Sequence, residues 1–200
     1  MNYVVQNVSS KQELEKTIDF FRMIFKDKPA TDINNLEYSL QKWEERRQKY
    51  SDLMLYASLN NEVIGIVFGR IIDDNSITIG PVAVHKNYRG RGIAKEMMLL
   101  LEERALQYGI HSIKLGAVEA AEGFYSKLGY TGSLLVQSEI HSIEQLLSLT
   151  HKYKVEFTNI YNSKVSQVCL EVRELDRELQ REYEAAFPGC HTLMMYSKTI

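Results

Sequence analysis

The segment from Val82 to Ala94 constrains this chain more than any other. It passes from the apolar Val82-Ala83-Val84 through a basic loop to Gly90-Arg91-Gly92, and an apolar pattern with helical spacing begins at Ile93. Glycine lets a backbone approach an anion closely, and the unpaired amides and dipole at the start of a helix favour negative charge. This order of strand, glycine-rich turn and helix therefore predicts a phosphate-binding site.

Two common phosphate-binding motifs do not fit this turn. A Walker A loop requires Gly-x-x-x-x-Gly-Lys-Ser/Thr, and the dinucleotide fingerprint requires a third glycine or alanine where this chain has Lys95. A purely structural alternative is a tight connection in which Arg89 and Arg91 are solvated charges. The order Arg89-x-x-Gly92-x-Ala94 after an apolar strand instead resembles the first motif of the GCN5-related N-acetyltransferase (GNAT) family.

A second segment strengthens this resemblance. Ala121 lies four residues before Tyr125, and Leu128-Gly129-Tyr130 follows, as in the family pattern of alanine, tyrosine and Leu-Gly-Phe/Tyr. The resemblance covers about residues 3–139, but its specificity lies in residues 81–130. It implies an α/β fold, with a mixed sheet that has helices on both faces.

The resemblance also implies the cofactor and the residues that bind it. Acetyl-coenzyme A is the expected cosubstrate, with its pyrophosphate held by the amides of the turn and its pantetheine arm paired with the preceding strand. A backbone amide near Ala83 is expected to stabilise the oxyanion, and a bulge is expected at Gly80-Pro81. The matching cofactor-binding residues are Val82, Ala83, Val84, Arg89, Gly90, Arg91, Gly92, Ile93, Ala94 and Lys95.

Two residues are candidates for the chemistry of acetyl transfer. By the family's precedent Tyr125 protonates the departing thiolate, and its phenol, with an ordinary pKa of about 10, is protonated at neutral pH. The alternative role for Tyr125 is aromatic packing. Glu119 is the candidate general base, although a solvated glutamate that complements the helix dipole is the more common reason for such a residue. Water is the other candidate proton acceptor. Many members carry an asparagine where this chain has Val118, so the resemblance does not extend to cofactor or substrate contacts made by that asparagine.

Composition narrows the classes of partner. The 24 basic and 26 acidic residues give a formal net charge of −2, so nothing favours nucleic acid. No stretch approaches the roughly 20 apolar residues of a membrane span, and we expect a soluble, cytoplasmic protein.

Cys169 and Cys190 are expected to be free thiols, with a single disulfide between them as the open alternative. The five histidines show no paired metal-ligand spacing, and no metal is expected; they are His85, His111, His141, His151 and His191.

The order of patterns predicts two segments. Residues 1–139 are predicted to form the acetyltransferase domain and residues 140–200 a small α+β extension, with a hairpin turning at Asn162-Ser163 and a charged helix from Arg173 to Phe187. The extension is predicted to supply a homodimer interface or a substrate lid. The charges of its helix are interpreted as a solvated face.

The expected function is transfer of acetyl from acetyl-coenzyme A to a primary amine by direct attack in a ternary complex. A small-molecule amine is the expected acceptor, with a protein or peptide amine as the other candidate. The rival hypothesis is a noncatalytic acyl-coenzyme A-binding sensor, because binding and catalysis would both retain the glycine-rich turn.

Overall fold

The computed structural model describes residues 2–26, 39–150, 152–173 and 176–200. The chain forms two compact units. The first contains Met1–Ile113 together with Thr199–Ile200, and the second contains Lys114–Lys198. The predicted α/β class is confirmed by the alternation of strands and helices in the chain.

The first unit is built on a four-stranded antiparallel meander. The apolar runs within residues 53–85 predict a three-stranded meander, and the observed strand order β1-β2-β3-β4 adds β1 as a fourth strand. Asn60-Asn61-Glu62 is typical of a hairpin turn, and Asn60 and Asn61 both have positive φ between β2 and β3. The elements are β1 (Val4–Asn7), α1 (Lys11–Ile24), α2 (Leu40–Tyr50), β2 (Met54–Leu59), β3 (Glu62–Asp73), β4 (Ser76–Val84) and α3 (Ile93–Gln107).

Helices cover both faces of this meander. On one face α1 and α2 enclose an aromatic core, in which the ring of Trp43 lies 6.2 Å from that of Phe21 and 5.4 Å from that of Phe68. On the other face α3 approaches β3 closely, because β3 has glycine where larger side chains would collide. A Cβ atom on Gly65 would lie 3.0 Å from the end of the Met97 side chain. The position of α3 therefore depends on the absence of a side chain there.

The second unit contains a sheet whose last strand in sequence lies in its interior. The strand order is β5-β9-β6-β8-β7, and β9, β6, β8 and β7 are antiparallel to their neighbours. Its elements are β5 (Ser112–Ala117), α4 (Glu119–Lys127), β6 (Thr131–Ser138), α5 (Ile143–Leu147), β7 (Lys154–Tyr161), β8 (Val165–Arg173), α6 (Arg177–Ala186) and β9 (His191–Thr199).

In the second unit the predicted cap and turn are confirmed, but one predicted helix start is wrong. The spacing of Ser142 and Gln145 predicts a capping box, and the structure confirms it at the start of α5. The predicted turn at Asn162-Ser163 is also confirmed, since both residues have positive φ. The predicted start of the charged helix at Arg173 is wrong. β8 continues to that residue, and α6 begins after Asp176, whose carboxylate accepts a hydrogen bond from the Leu179 amide at 2.9 Å.

The boundary predicted between residues 139 and 140 falls inside the second unit. Strands from both sides of it pair with each other, since β6 lies between β9 and β8. As a division into domains it stays a prediction. The spacing of Leu36, Leu40, Trp43 and Arg47 predicts a helix, and the part of it that includes Leu36 lies outside the described residues.

The described ranges contain no helix that is both long enough and apolar enough to cross a membrane. Nor do these ranges bring together three or more His, Cys, Asp or Glu residues in a group that could hold a metal ion. The cytoplasmic location and a reaction without metal stay predictions.

Candidate active site

The glycine-rich turn forms an exposed connection between β4 and α3. Gly90 and Gly92 have φ of 74° and 82°, in the left-handed region that L side chains rarely adopt. Apart from the glycine itself and its two chain neighbours, no atom of the described residues lies within 4 Å of the position that a Cβ would occupy on Gly90 or Gly92. The space beside the turn is therefore open, and the backbone rather than a side chain forms its surface.

The amides at the start of α3 are available to an anion. Gly92 is the N-cap and offers no side-chain acceptor. The first amide bonded within the helix is that of Glu96, which donates to the Gly92 carbonyl at 2.9 Å. The amides of Ile93, Ala94 and Lys95 precede it, and they have no acceptor within the helix. Together with the helix dipole, they make this end of α3 suited to a phosphate group.

Two arginines stabilise the loop around these amides. Arg89 donates from Nε to the Val84 carbonyl at 3.0 Å, which ties the turn to the end of β4. Arg91 approaches the Asn87 carbonyl with Nη2 at 3.5 Å. Both residues are exposed, so their positive charge remains accessible from solvent. Exposed charges of this kind fit both the purely structural alternative and an anion-binding role, so phosphate binding by these residues stays a prediction.

The strand that leads into the turn carries the predicted pantetheine-binding residues. Val82, Ala83 and Val84 pair with Val67, Ile66 and Gly65 of β3. The predicted bulge is confirmed, because the register shifts between Ile79 and Val82, where Gly80 and Pro81 stand. The whole predicted cofactor-binding set, from Val82 to Lys95, thus belongs to one continuous stretch of the first unit.

Tyr125 lies on α4 and packs against three other aromatic rings. Its side chain is only 4% exposed, and its ring centroid lies 5.1 Å from that of Phe124, 6.0 Å from Tyr130 and 5.8 Å from Tyr196. Burial raises the pKa of Tyr125 to about 12, because the phenolate would be poorly solvated. The hydroxyl is therefore protonated at neutral pH, as a proton donor must be, while the ring also has the packing role considered from the sequence.

Glu119 begins the same helix in a different environment. Its side chain is 81% exposed, and its Oε1 lies 3.6 Å from Nη2 of Arg177. Glu122, one turn later, is buried and lies 2.7 Å from the same nitrogen. Val118, which replaces the family's asparagine, is 59% exposed and gives α4 no side-chain cap. The carboxylates at the start of α4 thus share one cation.

Sequence reasoning missed Arg177. The charged helix was interpreted as solvated throughout, but this one arginine reaches Glu122, which is 55 residues away in the chain. No local pattern predicts a pair so distant. The open question of a disulfide has a clear outcome, because Cys169 and Cys190 are both buried free thiols.

The sequence also matches a protein-family model. The model of the acetyltransferase (GNAT) family matches residues 17–130, which is more than half of the chain. The chain belongs to the acetyltransferase (GNAT) family. The resemblance based on the glycine-rich turn and the Tyr125 motif is thereby confirmed.

Curated relatives match part of the chain. An acetyltransferase of Pectobacterium atrosepticum is 37% identical over 82 residues, which cover 40% of this chain and 57% of the relative. The N-acetylaspartate synthetase of Xenopus tropicalis is 30% identical over 122 residues, which cover 59% of this chain and 42% of that protein. The chain thus spans about half the length of these relatives.

Solved GNAT structures share the fold over most of the chain. An acetyltransferase of the GNAT family from Staphylococcus aureus superposes with a TM-score of 0.57 at 16% identity, covering 99% of both chains. An N-acetyltransferase from Thermoplasma acidophilum in complex with coenzyme A gives a TM-score of 0.51 at 18% identity, covering 87% of this chain and 100% of that one. The diaminobutyrate acetyltransferase of Paenibacillus lautus, in complex with its substrate and coenzyme A, gives a TM-score of 0.52 at 13% identity. The match covers 88% of this chain and 98% of that one.

Proposed function

We propose that this GNAT protein transfers acetyl from acetyl-coenzyme A to a primary amine of a small molecule. The observation that carries the proposal is the exposed start of α3, where an uncapped helix, two glycines with positive φ and two arginines offer a pyrophosphate open amides and positive charge. The relatives solved with coenzyme A or with an amine substrate support the same choice of cosubstrate and acceptor.

The proposed reaction is direct attack in a ternary complex. The neutral amine nitrogen forms a bond to the thioester carbon, and a backbone amide near Ala83 stabilises the oxyanion. The carbon–sulfur bond then breaks, and the Tyr125 hydroxyl donates its proton to the developing thiolate. Glu119 or a water molecule takes the proton that the amine loses. The products are the acetylated amine and coenzyme A with a free thiol.

An amine panel tests this function. Acetyl-coenzyme A is incubated with the protein and with separate pools of diamines, amino acids, aminoglycosides and peptides, and acetylated products are identified by mass spectrometry. We expect a small-molecule pool to yield a product one acetyl group heavier, with an equal amount of free coenzyme A. Product from the peptide pool alone would contradict the acceptor class. Coenzyme release without any acetylated amine would contradict transfer itself.

A noncatalytic sensor of acyl-coenzyme A is the second candidate function. It is favoured by the absence of a carboxylate from β4, together with the exposed Val118 where many members have asparagine. Tight binding of acetyl-coenzyme A in calorimetry, without turnover on the whole panel, would support this candidate.

A further inference from the structure

The start of α4 is held by a cation from a distant helix. Arg177, the first residue of α6, places Nη2 2.7 Å from Oε2 of Glu122. The Glu122 side chain is 7% exposed and that of Arg177 is 30% exposed, so the pair is largely removed from water. Breaking such a pair leaves one charge buried without its partner, which costs far more than losing a surface ion pair.

Arg177 is itself fixed by a chain of polar contacts. Its Nη1 donates to Gln180 Oε1 at 2.6 Å, and the Gln180 amide donates to the Thr192 hydroxyl at 3.2 Å. Two terminal nitrogens of one planar group thus join α4 to α6, and Gln180 extends the link to β9. Lysine, with a single charged nitrogen, cannot reproduce this geometry.

α4 depends on such contacts because its own sequence stabilises it poorly. The helix has nine residues, no side-chain cap and an internal glycine, Gly123. Isolated helices of this length are unstable in water, and glycine weakens them further. On its other side α4 is tied to β9 by a hydrogen bond between the Ser126 and Tyr196 hydroxyls. The position of Tyr125 is therefore set by contacts from α6 and β9.

We propose that Arg177 is a positioning residue for acetyl transfer: through its ion pair with Glu122 it fixes α4, and so fixes the place of the Tyr125 hydroxyl. This inference rests on the proposed function, because it assigns Tyr125 a role in the reaction. Arg177 touches neither substrate nor cofactor in this assignment and acts only through the helix.

The primary test compares Arg177→Met with a matched control on the same helix, Arg181→Met, which alters an exposed residue. Displacement of a catalytic group by about 1 Å costs roughly 100-fold in rate. We therefore expect the Arg177 variant to lose about 10- to 100-fold in kcat with an unchanged Kd for coenzyme A. The Arg181 variant should retain the parent's kcat. Arg177→Lys and Glu122→Gln, which perturb packing less, should also lower kcat without changing Kd.

A double-mutant cycle separates positioning from a general structural effect. If Arg177 acts through the Tyr125 hydroxyl, Arg177→Met should lower kcat little once Tyr125→Phe has removed that hydroxyl. The effects on kcat should therefore be far from additive. Additive losses, or an unchanged kcat in folded Arg177 and Glu122 variants, would overturn the proposal.

A spectroscopic readout keeps this inference separate from the proposed function. When the protein is labelled with carbon-13 at tyrosine Cζ, each tyrosine gives a resonance. The resonance of Tyr125 is assigned by its loss in Tyr125→Phe. We expect this resonance to shift in Arg177→Lys and Glu122→Gln and to stay in place in Arg181→Met. If the parent lacks turnover, the proposed function fails while a shifted resonance still supports the link from Arg177 to Tyr125. An unshifted resonance in the two folded variants would overturn that link.

Discussion

At the scale of single residues, the hydroxyl of Tyr125 carries the chemical step of the proposed reaction. Tyr125→Phe keeps the ring that packs against Phe124, Tyr130 and Tyr196 and removes only the proton donor. We expect kcat to fall by about 10² to 10⁴-fold, with the Kd of coenzyme A nearly unchanged. Steady-state kinetics and calorimetry measure the two quantities. Equal activity of parent and variant would show that Tyr125 is a packing residue.

The pKa of Tyr125 predicts a pH profile. A phenol with the ordinary pKa of about 10 would be half ionised at pH 10, whereas one at about 12, as burial makes Tyr125, would be about 1% ionised there. The protonated donor is thus present below about pH 12, and kcat at saturating substrate should not fall between pH 8 and 10.5. A fall with an apparent pKa near 10, absent from the Tyr125→Phe variant, would contradict this assignment.

Gly92 allows a test of where the pyrophosphate binds. Gly92→Glu and Gly92→Gln both place a side chain on a residue with φ of 82°, so backbone strain is shared between them. Only the glutamate adds negative charge beside the open amides. We expect the Glu variant to bind coenzyme A at least about tenfold more weakly than the Gln variant, because two like charges a few ångströms apart repel. Calorimetry on both folded variants measures the Kd of coenzyme A. Equal Kd values would exclude pyrophosphate binding beside Gly92.

At the scale of elements, α1 shows how a cap couples a helix to pH. Partial burial disfavours ionisation of Glu13, but hydrogen bonds from the Ser9 hydroxyl and from the amides of Ser9 and Ser10 outweigh it and lower its pKa to about 2. The carboxylate therefore stabilises the folded state above the ordinary pKa of about 4.5, and this contribution is lost as pH falls towards 2. Protonation removes the charge that those donors hold.

Glu13→Gln tests that coupling against Glu15→Gln, an exposed residue of the same helix. We expect the Glu13 variant to have a lower Tm than the parent at pH 6 and the difference to shrink as pH falls from 4.5 to 2.5. The Glu15 variant should follow the parent throughout. Thermal unfolding monitored by circular dichroism gives both curves. A Tm difference as large at pH 2.5 as at pH 6 would mean that shape, and not charge, is what Glu13 contributes.

Prediction from sequence succeeded where the cause is local. The cap at Ser142, the asparagine turns and the glycine-rich turn each depend on residues within about five positions, and the structure confirms the turns and the cap of α5. It failed where the cause is distant. The start of α6 depends on how far β8 continues to pair, and the burial of Arg177 depends on a partner that no window of sequence contains.

At the scale of the whole molecule, the place of β9 changes what truncation can test. Removing the chain after residue 140 deletes β8 and β9, the two neighbours of β6. We expect such a fragment to lose the fold of residues 114–140, since an isolated strand has no partner for its backbone groups. Amide hydrogen exchange on the fragment measures this, and protected amides in β6 would contradict it.

The proposed roles of the C-terminal segment, as dimer interface or substrate lid, therefore need the full chain. Light scattering measures its mass in solution directly. A monomer would exclude the interface. Activity retained after the β7–β8 turn is shortened at Asn162-Ser163 would argue against a lid formed by that hairpin tip.

The interior position of β9 has a further consequence during synthesis on the ribosome. β5 emerges first, yet its neighbour in the sheet of the second unit is β9, which begins only at His191. Contacts between residues so far apart form slowly, because a long loop must close before they stabilise the fold. The second unit therefore stays incomplete until nearly all of the described chain has been translated. Until then the apolar segments of β5 and β6 are exposed in the nascent chain. Chaperones that bind such segments therefore have the longest time to bind these two.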